Sequence, residues 1–176
     1  VGRRLEIYGR VNHAGPRMVK TVDGRRSRLT LRGWLVNFAD CFLGRTRIED
    51  FVYLRLGDRV QHRLRLARGD LVTFEAELAL DEGRLLLTRP GSWEIEERGP
   101  ETFDPAAGDV LVDYHSAVPH QRQSDRCLSC ERGRLVDVFE RGGDEGRFLH
   151  RELYCLEGVD DPDDCCFSAL KKLGIR

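Results

Sequence analysis

The sequence predicts a mainly β chain in two parts. A small barrel of short strands fills residues 1–97, and a small β-hairpin-plus-helix module held by cysteines fills residues 120–176. Residues 98–119 form a linker with one short strand. Three observations carry this reading. Short runs of alternating apolar and polar residues, parted by turn signals, recur through the first hundred residues. No helical pattern of respectable length interrupts them. Five of the six cysteines fall in the last fifty residues, starting with the C-x-x-C of Cys127-Leu128-Ser129-Cys130.

The elements follow in order. Arg4–Val11 alternates with period two and reads as a strand. Asn12–Arg26 carries two turn signals, Ala14-Gly15-Pro16 and Asp23-Gly24. Arg28–Phe38 is a strand with Gly33 as a bulge or sharp bend. Phe51–Leu56 and Val60–Leu66 read as strands around Gly57-Asp58. Gly69-Asp70 turns the chain into Leu71–Leu80, and Asp81-Glu82-Gly83 turns it into Arg84–Arg89, stopped by Pro90-Gly91. Trp93-Glu94-Ile95-Glu96 is a last short extension. The linker carries a strand at Val110–Tyr114. Leu135–Phe139 and Arg147–Tyr154 form a hairpin around a Gly-rich turn. Asp161 then caps a helix with Pro162 in its first position and Cys166, Ala169, Leu170 and Leu173 on one face.

The run Ala67-Arg68-Gly69-Asp70-Leu71-Val72-Thr73-Phe74-Glu75-Ala76, followed by Gly83-Arg84-Leu85-Leu86-Leu87, resembles part of an OB-fold. The likeness covers roughly residues 28–97 and implies a small barrel that binds single-stranded DNA or RNA.

Two thiolates of a C-x-x-C bite one metal ion from a single tight turn, and a later pair closes the tetrahedron. Cys127 and Cys130 supply the first pair. Cys155 supplies a third ligand, and the fourth is Cys166, with Cys165 as its competitor; Cys166 is favoured because it shares the apolar helix face. His120 and His150 lie within reach as substitutes. A knuckle, a hairpin and a helix that brings in a ligand resemble the treble-clef and zinc-ribbon class, although a second C-x-x-C is missing. The expected metal is a structural Zn²⁺, with an iron–sulfur cluster as the alternative.

Charge is segregated along the chain. Residues 1–69 hold 16 Arg and Lys against 6 Asp and Glu, a net +10, while the remainder carries −11. Nearly all the positive charge is Arg, which suits bidentate phosphate contacts. A basic, aromatic barrel face follows from strand parity: Arg28, Arg32 and Trp34, then Tyr53 and Arg55, then Arg63 and Arg65. Bases stack on the rings and arginines pair with phosphates.

Several classes are set aside. His150-Arg151-Glu152 spells the H-x-E of base deaminases, but it follows the C-x-x-C instead of preceding it, and four thiolates leave no open metal position. Cys41 has no local base, so it reads as a plain thiol. No P-loop, dinucleotide glycine motif or nucleophile elbow is present. No apolar run approaches the ~18 residues that span a bilayer. Val1-Gly2-Arg3-Arg4-Leu5-Glu6 has no apolar h-region, so a cytoplasmic chain with no membrane association is expected. The expected function is non-catalytic binding of single-stranded nucleic acid. The alternative is an adapter that meets a protein partner through the acidic C-terminal half, with an iron–sulfur or redox protein third.

Overall fold

The computed structural model describes residues 3–105, 117–120, 124–142 and 146–166. It is mainly β. Its elements are β1 (Arg4–Arg10), β2 (His13–Asp23), β3 (Arg26–Phe38), β4 (Cys41–Leu43), β5 (Thr46–Ile48), β6 (Val52–Leu56), α1 (Asp58–Leu64), β7 (Leu71–Asp81) and β8 (Arg84–Glu97). Then come β9 (Val118–Pro119), α2 (Asp125–Leu128), β10 (Gly133–Glu140), β11 (Arg147–Cys155) and a 3-10 turn at Pro162–Asp164. The hydrogen-bonded order is β5-β4-β1-β7-β8-β6-β3-β2-β10-β11-β9. This is an open, mixed sheet, so the expected small closed barrel is corrected. Two pairings are parallel, β6 with β8 and β10 with β2.

Residues cluster into two compact units. The first is Val1–Arg17 with Arg32–Ala107, and the second is Met18–Leu31 with Gly108–Arg176. Strands β2 and β3 form a long hairpin whose outer part, residues 18–31, groups with the C-terminal residues, whereas the sequence reading places those residues in the barrel. Asn12–Arg26 was expected as turns; only the Asp23-Gly24 signal survives as one, and His13–Asp23 is strand. Pro16 precedes Met18–Val22, the stretch of β2 that pairs with β10, so its missing donor breaks no bond of that ladder.

The core of the first unit is built from alternate residues of its strands. Ile7, Val36, Val52, Leu54, Val72, Phe74, Ala76 and Leu87 are all fully buried. Trp34 joins them through Gly33, whose φ of +85 bends β3 and whose α-hydrogen faces the Leu56 carbonyl; a Cβ there would sit 2.5 Å from that oxygen. The buried Asp70 carboxylate ties the loop before β7. It accepts from the backbone N–H of Ala67 (3.0 Å) and Gly99 (2.8 Å) and from Arg98 (2.9 Å). A buried carboxylate is stable only with such partners.

Val60–Leu66 is not the expected strand. Asp58–Leu64 is a helix, capped by Gly57 and closed by Arg65 in the left-handed region at φ 55. The period-two set Val60, His62, Leu64 and Leu66 overlaps the helical set, but Gln61 and Leu64, three apart, are the buried pair within the helix. Gln61 donates to the Leu66 carbonyl at 2.8 Å, which satisfies the nitrogen end of its amide, while its Oε1 is buried with no partner among the described residues.

In the second unit, Met18, Val136 and Tyr154 form the centre, with Leu29 and Ala117 packed against it. The β10–β11 hairpin stands where the sequence places it. Asp137 and Arg151 pair across it at 3.0 Å, both nearly buried. Asp161 caps the last turn by accepting from the Asp163 N–H, with Pro162 following it. Ala169, Leu170, Leu173 and the expected strand at 110–114 lie outside the described residues.

Candidate metal centre and candidate nucleic-acid interface

The cysteine segments converge within the second unit. The C-x-x-C spans the end of α2: Cys127 N–H bonds to Ser124 O, and Cys130 N–H returns to Cys127 O at 3.1 Å. Arg132 N–H donates to the Cys130 sulfur at 3.5 Å. Gly133 opens β10 directly against this turn. A Cβ at Gly133 would lie 2.1 Å from the Cys127 carbonyl oxygen, so only glycine allows the approach. Gly133 pairs with Cys155, the last residue of β11, and Val118 pairs with Cys155 from the other side. The loop that carries Cys165 is tethered as well. Arg126 donates to the Pro162 carbonyl, and the His120 ring meets the Asp160 carbonyl at 3.1 Å.

All six cysteines are free thiols. Cys127 and Cys155 are buried, Cys130 and Cys165 half-buried, and Cys166 exposed. Burial pushes the Cys127 thiol up, the Cys130 and Cys165 sulfurs add to this, and Ser124 and Arg126 oppose it. Among the described residues, no three His, Cys, Asp or Glu side chains are drawn together closely enough to hold a metal ion. The donor set itself is sulfur, which suits soft or borderline metals. His150 and Glu152 are engaged elsewhere. Glu152 accepts from Lys20 (3.2 Å) and Tyr154 (2.7 Å) and meets His150 at 3.2 Å. Burial pushes its carboxyl up, but those three partners outweigh burial and hold it below its usual value.

The basic, aromatic face does not form as expected. Trp34 is 2% exposed; its indole N–H donates to Asp58 at 2.9 Å, and its ring meets Phe103 edge-on at 5.0 Å. Tyr53 is buried with the Arg84 guanidinium 5.3 Å over its ring. Neither ring is open to a base. Arg55 pairs with Asp81 at 2.7 Å. Arg63 lies on α1 and Arg65 at its C-cap, both exposed, and neither lies on a strand. Arg32 is exposed on β3 in the first unit. Arg28 is exposed in the second unit, on the outer part of the β2–β3 hairpin, beside Arg25 and Arg26. Among the described residues, none of Arg25, Arg26, Arg28, Arg32, Arg63 and Arg65 has an acidic partner.

Strand parity overlooked Arg25, because a turn has no parity, and Arg26, which lay outside the strand as read. It also overlooked Trp93, a half-buried ring of the first unit. The Pro90-Gly91 break, read as a strand end, is a bulge in the middle of β8 that carries the strand on to Glu97. A break followed by renewed alternation is the signal that finds it. No helix among the described residues is long and apolar enough to cross a membrane. No family model, curated protein or solved structure matches this chain.

Proposed function

We propose that the chain binds single-stranded nucleic acid through exposed arginines, without catalysis, and that its cysteine module is a structural metal centre. The observation that carries the reading is the exposed run of Arg25, Arg26 and Arg28 on the outer β2–β3 hairpin, none with an acidic partner among the described residues. Cations kept off neighbouring carboxylates remain available to phosphate, and binding releases counterions. An OB-like reading of the first unit is supported by its strand order. There β1, β7, β8, β6 and β3 are neighbours, β6 and β8 run parallel, and α1 falls between β6 and β7. The OB class is a partly open Greek-key arrangement.

The test is a gel shift with single-stranded and duplex oligonucleotides at two salt concentrations. Single strands should be preferred. Replacing Arg25, Arg26 and Arg28 together with Ala should weaken binding across all sequences and reduce the salt slope by about 2. Absence of any shift at low salt overturns the reading. The adapter reading then takes its place, favoured by one observation. Tyr8 and Phe42, facing each other across β1 and β4 with ring centroids 6.4 Å apart, are each about 40% exposed.

For the metal, Cys127, Cys130, Cys155 and Cys165 are the proposed ligands of one Zn²⁺. Elemental analysis of protein purified without chelator should find about one zinc per chain. Cys165→Ser should lose it and Cys166→Ser should keep it; the reverse result restores Cys166 as the ligand.

A further inference from the structure

The first unit contains a cleft of about 580 Å³ between α1 and the middle of β8. Its floor is apolar, with Leu56 and Leu64. Arg55, Arg63, Ser92 and Trp93 also line it. The indole of Trp93 lies face to face on Phe74, with centroids 4.2 Å apart and planes 15° apart, and Phe74 is fully buried. One face of the ring is therefore clamped by the core, while the residue remains partly exposed at the cleft.

The strand that presents it is strained. Arg89 at φ 50 and Ser92 at φ 52 both occupy the left-handed region, and the β7–β8 register shifts on the facing strand between Thr73 and Glu75 and again between Glu75 and Glu77. Non-glycine residues in that region are disfavoured, and such strain persists where the surroundings enforce it, often at binding sites. A bulge here also re-aims the side chains beyond it. Arg55 is fixed by Asp81, whereas Arg63 has no acidic partner among the described residues.

We infer that this cleft takes one nucleotide of a bound single strand, with its base against Trp93 and its phosphate on Arg63. An aromatic ring held rigid in one cleft with a guanidinium that has no acidic partner among the described residues is the combination that stacks a base and neutralises its phosphate. The inference rests on the nucleic-acid reading and names the subsite that Trp34 and Tyr53 do not supply.

Tryptophan emission tests it in the whole protein. The chain has two tryptophans, and Trp34 is buried, so quenching by a bound strand reports on Trp93. Oligothymidylate should quench the emission as it binds. Arg63→Ala, on the helix surface, should weaken binding several-fold and lower the salt slope by about 0.7. Trp93→Leu should weaken binding about 5- to 150-fold, the range of one lost base stack, with Trp93→Phe retaining most of the affinity. If Trp93→Leu does not fold, quenching of the native protein and Arg63→Ala decide the matter. A strand that binds without quenching, or binds Arg63→Ala as tightly as the native protein, overturns the subsite and leaves the reading standing. If no strand binds the native protein at low salt, the reading and the subsite fall together.

Discussion

Cys41 lies on β4 opposite Gly9 and is 1% exposed. Burial, and then the nearby Asp40 carboxylate, pushes its thiol from the ordinary 9.0 up to about 11. Between those values the unfolded chain loses this proton and the folded chain keeps it. Stability from this group is complete below pH 9 and declines as pH rises toward 11, by about 2–3 kcal/mol in all. Denaturant midpoints across pH 8–11 should fall for the native protein, and the fall should be smaller for Cys41→Ala; identical profiles would remove the effect. Trp34 poses a different question at the same scale. Its burial and its bond to Asp58 assign it to the core, so Trp34→Ala should cost about 3–5 kcal/mol of stability. A specific loss of nucleic-acid affinity with an unchanged unfolding midpoint would contradict that assignment. Strand parity leads from Arg32 to Trp34 on the solvent side. Gly33, with positive φ, breaks that parity and turns the ring inward.

Among the elements, those with local signals were legible. The β10–β11 hairpin, the long alternation of β7, and the Asp161–Pro162 cap all stand where the residues place them. Helix α1 was not legible, because seven residues satisfy a period of two and a period of 3.6 nearly equally, and packing around Gln61 and Leu64 decides. The open order of the sheet was not legible either, since parallel pairings such as β6 with β8 join segments with no local turn between them. In the candidate site the cysteine spacing points to the turn after α2 and the end of β11, which Gly133 links by its contact with Cys127 and its pairing with Cys155, but no three ligand side chains are drawn together among the described residues. The choice between Cys165 and Cys166 depends on the 3-10 turn that precedes them, where ideal helical angles do not apply. The meeting of α2 with β10 rests on Gly133. Gly133→Ala should destabilise the hairpin by about 1–3 kcal/mol and lower zinc content, measured by melting and elemental analysis on one sample. Full zinc content with an unchanged melt would mean that the close approach is dispensable.

For the whole molecule, the two units are discontinuous in sequence, so no single cut separates them. A fragment ending at residue 107 keeps Met18 and Leu29 but lacks Val136 and Tyr154, which cover them. Such a fragment should bind a hydrophobic dye more strongly than the full chain; equal dye binding would show that residues 18–31 find cover without their partners. The same arrangement also sets a timetable during synthesis. Strand β2 pairs over Met18–Val22 with β10, Met18 beside Val136. The roughly 120 residues between them take about 6–24 s to emerge from a ribosome working at about 5–20 residues per second. Throughout that interval one edge of β2 has open backbone donors and acceptors, the template on which neighbouring nascent chains pair. The turn beyond that edge carries Arg25, and Arg26 opens β3 beside it; their like charges on every copy repel such neighbours. The arginines proposed here to meet phosphate thus also guard the strand while it waits for its partner.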